Sequence, residues 1–204
     1  MKRAYSVSNM DTATFRVMEL DGVWQEALGQ PELSGSWMIY GMPKNGKTSM
    51  AMCLCAYLAS KGYRVAYNSV EEGLSLSLQA AVRRYFGSTA RNFVVIDKES
   101  VEEMRERLSR RNSAQVVVVD SVQFLGLTFS EYKSLKEQFP HKLFIYISHV
   151  SGQQPDGKVA CKIWRDCNVY MRVEGFRGFP VGRYGGGATI DADPVRAQEY
   201  WGNR

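Results

Sequence analysis

Apolar residues along this chain gather into short runs that alternate with amphipathic or charged stretches. Residues 36–40, 63–69, 92–97, 115–120 and 142–148 are rich in β-branched and aromatic side chains and are bounded by turn-forming or charged residues, so each predicts a strand. The run Gln115 to Asp120 is continuously β-branched and fits a strand covered on both faces. Helix patterns fill the gaps. Residues 49–59 are apolar and Ala-rich, suited to a buried helix that ends near Gly62 as a C-cap. A second helix spans 74–86 and is closed by Gly87. Residues 100–110 open with a Ser-x-x-Glu capping box and are charge-rich, hence a solvated surface helix. A fourth helix, 130–139, is stopped by Pro140.

The flanks are less regular. Residues 1–14 read as an extended or loosely held arm, 15–20 and 24–28 as a short lead-in, and 29–35 as a turn into the first strand. After His149 the stretch 151–157 is polar and flexible, and 168–173 and 182–190 read as β-structure separated by glycines. Strands alternating with helices predict an α/β fold with a mainly parallel central sheet flanked by helices. The late β-rich portion adds antiparallel strands near the C-terminus. A chain of 204 residues fits one domain, here 15–204, behind the arm 1–14.

Composition narrows the classes. Hydrophobic content of 45% and charged content of 23% are ordinary for a globular protein. A formal charge of +5 permits nucleic-acid binding without demanding it. Between residues 158 and 183, Lys and Arg far outnumber the acids Asp166 and Glu174. Cys53, Cys55, Cys161 and Cys167 lack C-x-x-C spacing, which argues against a zinc module, and Cys53 and Cys55 fit a helix core. No run approaches membrane-spanning length and no apolar leader follows the first residues, so the expectation is a cytoplasmic protein with no membrane partner.

One motif stands out. Gly41, Met42, Pro43, Lys44, Asn45, Gly46, Lys47 and Thr48 fully match G-x-x-x-x-G-K-[ST], with Ser49 opening the buried helix. A strand precedes it, as the motif requires. The glycines let successive N–H groups point inward at a phosphate, and the helix N-terminus adds partial positive charge. Lys47 reaches the β- and γ-phosphates, and Thr48 offers its hydroxyl to Mg²⁺.

Hydrolysis needs carboxylates as well. Two strands end in Asp, at Asp97 and Asp120. Asp120 is favoured for the Mg²⁺ role, usually through water, because its strand is the purer buried one and continues into Ser121-Val-Gln123. Asp97 runs into Lys98-Glu99-Ser100, a helix lead-in. Glu71 and Glu72 end the second strand, where a carboxylate faces the ligand crevice of an open α/β sheet. Either could orient the attacking water, or both could serve the first turn of the next helix. His149 also ends a strand and either senses the γ-phosphate or merely caps that strand.

The segments 41–48, Val65 to Glu72, Val116 to Gln123 and Ile147 to Val150 occur in the order seen in RecA-like P-loop ATPases, and the chain resembles that family over roughly residues 15–190. The nearest likeness is to the RadA/Sms and DnaB branch, as a bare ATPase core. That resemblance implies ATP and Mg²⁺ as cofactors, Glu71 as the catalytic residue, Asp120 in the Walker B role and His149 as the γ-phosphate reporter. Val181-Gly-Arg183-Tyr-Gly-Gly186 is similar to the family's basic motif, which makes Arg183 the candidate trans-acting arginine finger, although Val181 stands where a lysine is common. A homo-oligomer, ring or filament, is thereby implied.

In the family the loop after the sensor strand contacts single-stranded DNA. Here that region is 150–165, with Lys158, Lys162 and Arg165 as cations and Trp164 interleaved for stacking, or else packed on the core. The leading expectation is an ATP-hydrolysing motor core acting on single-stranded DNA in replication or recombination, as a helicase or accessory ATPase. The alternative is a KaiC-like regulatory ATPase with a protein partner. A small-molecule kinase fits poorly, because it wants an arginine-rich lid and an acceptor site.

Overall fold

The computed structural model describes residues 4–86 and 91–202, so the expected helix stop at Gly87 lies outside the described residues. In chain order the elements are α1 (Val7–Asp11), α2 (Gly22–Leu28), β1 (Gly35–Tyr40), α3 (Lys47–Ser60), β2 (Val65–Ser69), α4 (Leu76–Phe86), β3 (Phe93–Asp97), α5 (Val101–Ser109), β4 (Val116–Asp120) and α6 (Val122–Leu125). There follow α7 (Phe129–Gln138), β5 (Leu143–Ser148), β6 (Val150–Ser151), β7 (Gln154–Pro155), α8 (Lys158–Asp166), β8 (Val169–Glu174), β9 (Arg177–Gly182), β10 (Ile190–Asp191) and α9 (Pro194–Trp201). The five expected core strands and four core helices are all present, within a few residues at each end.

Eight strands form one sheet in the order β10-β9-β8-β1-β5-β4-β2-β3. From β8 to β3 every pairing is parallel, while β9 and β10 add antiparallel strands at the C-terminal edge. Strands β1, β4 and β5 lie centrally and are buried on both faces, which explains their unbroken apolar runs. One face is covered by α2, α3 and α4 and the other by α5, α7 and α8, each over its own apolar layer. Helix α3 is apolar nearly all round because it is wedged into the first layer, with Met50, Met52, Leu54, Cys55 and Leu58 buried. The lead-in is pinned to α3, where Trp24 stacks on Tyr57 and the Tyr57 hydroxyl donates to Asp21 at 2.8 Å.

Several flank readings need correction. The arm is not extended around 7–11: Ser6 caps α1 through a reciprocal box with Asn9, and the helix is exposed along its length. The stretch 151–157 folds back as the β6–β7 hairpin, which leads into α8. The second late strand is Arg177–Gly182 rather than 182–190, most of which is loop. Pro180 argues against a strand by its missing N–H, but β10 pairs only with Gly178 and Arg177, so no strand on that side asks Pro180 for one. Helix α9 was missed although Asp193 and Pro194 are an N-cap and a first-turn proline.

Candidate active site

The phosphate loop joins β1 to α3 at the C-terminal ends of the parallel strands. Two glycines in it answer to sterics: a Cβ on Gly41 would lie 2.2 Å from the Val173 carbonyl, and Gly46 holds φ at 96° with Phe176 against it. Gly46 is also the N-cap of α3 and supplies no side-chain cap, so the first amides of that helix are left for a ligand. Lys47 is 8% exposed and its ammonium donates to the Met42 carbonyl at 3.0 Å. Burial pulls its pKa down, and the Asp120 and Glu71 carboxylates push it back up. Thr48 and Ser49 are half-buried at the start of the helix, and Met42, Pro43 and Lys44 are exposed.

Asp120 and Glu71 approach from neighbouring strands. In register, Asp120 lies beside Ser69 of β2 and Ile147 of β5. The Glu71 amide donates to the Asp120 carbonyl at 2.9 Å, which brings the end of β2 over the end of β4. Burial raises the Asp120 carboxyl to about 6; the Tyr67 hydroxyl bonded to it lowers it, Glu71 and Glu72 raise it, and Lys47 lowers it. Glu71 is half-buried, and one carboxylate oxygen, Oε2, takes both the Ser121 hydroxyl at 3.1 Å and His149 Nε2 at 2.9 Å. Glu72 turns outward and accepts from Ser75 (2.7 Å) and from Ser77, the helix-start role. Asp97 is exposed on the edge strand and accepts the Leu74 amide at 3.2 Å, two strands from Asp120. The two ambiguities of the sequence therefore separate in space: Glu71 and Asp120 face Lys47, while Glu72 and Asp97 bind local groups.

Known proteins share this architecture. No protein-family model matches the sequence. The DNA repair and recombination protein RadB of Methanosphaera stadtmanae is 28% identical over 91 residues, 41% of this chain and 39% of that protein. The DNA repair protein RadA of Chlamydia muridarum is 25% identical over 103 residues, 50% of this chain and 22% of that protein. The chain thus spans well under half the length of either relative. Among solved structures, a DnaB-like ATPase domain superposes with a TM-score of 0.55 at 15% identity, over 78% of this chain and 80% of that one. The chain has the RecA-like P-loop ATPase fold.

Within this RecA-like domain the remaining sequence candidates scatter. Arg183 is exposed just past β9, and its amide donates to the Asn168 carbonyl at 3.2 Å. Asn168 borders the start of β1, whereas the phosphate loop follows its end, so Arg183 lies about 20 Å, a six-residue strand, from its own Lys47. Lys158, Lys162 and Arg165 sit on a helix and not in a loop; they are exposed at i, i+4 and i+7, hence on one face of α8. Trp164 is not on that face. It packs edge-on against Tyr170 and Tyr40, at 5.4 and 6.2 Å between centroids, so it does not stand out as a base-stacking platform.

Other residues at the RecA-like site went unread in the sequence. The β8–β9 turn docks on the phosphate loop: the Gly175 amide donates to Asn45 Oδ1 at 3.1 Å and the Phe176 amide to the Asn45 carbonyl at 3.0 Å. Phe176, with the Arg196 guanidinium 3.9 Å above its ring centroid, lines a cavity of about 500 Å³ beside Thr48, together with Arg84 and Tyr85. A second cavity of about 660 Å³ opens on the other side of the loop, between Asn45 and the β6–β7 hairpin. A phenylalanine with φ of 63° before a strand is a weak sequence signal; only the folded turn reveals its place.

Proposed function

We propose that this chain is the motor core of an ATP hydrolase that acts on single-stranded DNA from within a homo-oligomer. The observation that carries the reading is the convergence of Lys47, Asp120 and Glu71, from three strand ends, beside a helix N-terminus with no cap. Amides of 41–48 cradle the phosphates, and Lys47 supplies a buried positive charge to the β,γ-bridge. Thr48 and Asp120 form an all-oxygen pair that fits a hard divalent cation. Bound there, Mg²⁺ neutralises charge on the phosphates. Burial of Asp120 without a full cationic partner is consistent with a site that awaits one.

Glu71 polarises the water that attacks the γ-phosphate, with Oε2 held by Ser121 and His149 and the other oxygen left to that water. The cavity flanked by Phe176, Arg196 and Tyr85 offers flat and cationic surfaces that suit a nucleobase. Arg183, remote from its own loop, reaches only a neighbouring subunit's nucleotide, and α8 presents Lys158, Lys162 and Arg165 to a phosphate backbone. Both curated relatives are named for DNA repair, which supports a DNA role. With Trp164 turned inward, α8 presents cations alone, which also suit an acidic protein surface; a protein partner is the second reading.

The test is ATP turnover with and without single-stranded DNA, at low and moderate salt. Stimulation that fades with salt supports the DNA reading, and equal turnover throughout selects the protein partner. Glu71→Gln should bind a fluorescent ATP analogue like the parent but hydrolyse ATP about 10²–10⁴-fold more slowly. Normal turnover by that variant would remove Glu71 from the mechanism.

A further inference from the structure

Gln123, on the one-turn helix after the Asp120 strand, joins three segments through a single side-chain amide. Its Nε2 donates to the Ser148 hydroxyl at 2.8 Å and to the Asp156 carbonyl at 2.8 Å, and its Oε1 accepts the His149 amide at 3.4 Å. The orientation of the amide follows from chemistry, since a carbonyl can only accept. Asp156 closes the ring by donating its own amide to the His149 carbonyl at 2.9 Å. His149 in turn holds Glu71 through its ring.

The β6–β7 hairpin between His149 and Asp156 pairs at only two positions, Val150 with Pro155 and Ser151 with Gln154. So short a ribbon does not fix its own place. Its place is set at the base, by Gln123 and by the His149–Asp156 bond. The tip, 152–154, borders the cavity on the far side of the phosphate loop. A displacement of His149 is therefore passed to both legs of the hairpin through one amide group.

We propose that Gln123 is a positioning residue that couples the nucleotide site to the 150–156 hairpin, by fixing the His149 main chain and the Asp156 leg together. This rests on the assignment of Glu71 and His149 to the ATP site. It adds a residue that contacts neither phosphate nor water, and it makes the hairpin the element that moves with nucleotide state.

The experiment is amide hydrogen exchange across 150–157 in the full chain, with and without ATPγS, for the parent, Gln123→Leu and Gln123→Glu. In the parent, the analogue should change exchange across this segment by about fivefold or more. Gln123→Leu removes all three bonds, and Gln123→Glu keeps the size but sets a carboxylate against the Asp156 carbonyl. Both should lose the nucleotide-dependent change while binding ATPγS within about threefold of the parent, and kcat should fall about tenfold with KM for ATP held. If either folded variant keeps the nucleotide-dependent change, or if the parent binds ATPγS with no change at the hairpin, the coupling is overturned. A parent that fails to bind ATPγS overturns the ATP-site reading itself and the coupling with it, a separate outcome from either of those. Should Gln123→Leu not fold, Gln123→Glu and the smaller lesion Ser148→Ala carry the same test, Ser148→Ala giving a partial loss.

Discussion

Asp120 is 8% exposed, and its ionised form has given up water for one tyrosine hydroxyl and a lysine nearby. Its carboxyl titrates near 3.8 when unfolded and at about 6 when folded, so the folded state binds the proton more tightly. The stability attached to that proton is complete below about pH 4 and is lost as pH rises through 6. At neutral pH the charged carboxylate thus destabilises the ligand-free fold, on the order of 2–3 kcal/mol. Asp120→Asn keeps an oxygen for the Tyr67 hydroxyl and removes the charge. Thermal melts without nucleotide should show the variant roughly 5–10 °C more stable at pH 7 and equal to the parent below about pH 4, while Mg²⁺-dependent turnover is lost. An unchanged melting temperature at pH 7 would mean that the carboxylate is well solvated after all.

At the scale of elements, α8 shows how a segment read as a loop becomes a docking face. Gly157 and Pro155 break the chain just before it, and the cations then dominate the pattern. In the fold, Ala160 and Ile163 are buried and set the helix phase, which aligns Lys158, Lys162 and Arg165 outward. Lys162 also lies 5.4 Å above the Phe129 ring centroid, so its stem is partly fixed. The double change Lys158→Ala/Lys162→Ala should weaken single-stranded DNA binding and flatten the slope of log affinity against log salt by about 1.4, two phosphates' worth for a single strand. Fluorescence titrations at several salt concentrations measure it; an unaltered slope would place the DNA elsewhere. Trp164→Leu, by contrast, should lower the melting temperature and leave the slope alone, because the indole belongs to the aromatic cluster with Tyr40 and Tyr170.

For the whole molecule, the geometry divides one reaction between two ends of the sheet. Lys47, Asp120 and Glu71 sit at the C-terminal ends of the parallel strands, and Arg183 sits near the opposite end. The loop after Arg183 is stitched to the lead-in, where Gly187 donates to the Ala27 carbonyl at 2.9 Å and Gln30 to the Tyr184 carbonyl at 3.3 Å. It is held away from its own nucleotide site, so the arginine acts across a subunit boundary or not at all. Arg183→Ala and Lys47→Ala should each be inactive alone, and an equimolar mixture should recover turnover at about a quarter of its interfaces. A mixture that stays inactive, or an Arg183→Ala chain that works normally by itself, excludes the trans role.

The phosphate loop was legible because its chemistry is contiguous: eight neighbouring residues define a backbone curl and a helix start. Strand ends at Asp120, Glu71 and His149 were legible for a similar reason, since a run of β-branched residues marks where its last side chain must lie. The chain's own order also carried the mixed α/β class and its mainly parallel sheet. What separated Glu71 from Glu72, and Asp120 from Asp97, was contact over long sequence distance. The Glu71–His149 bond spans 78 positions and the Tyr67–Asp120 bond 53. The dock of Gly175 on Asn45 spans 130, and the helical phase that turns Trp164 inward depends on a sheet that no local window contains. A sequence determines local backbone preference and the burial period of each segment. Which side chains then share a site is decided by how the sheet orders its strands, because only that order brings distant strand ends to one edge.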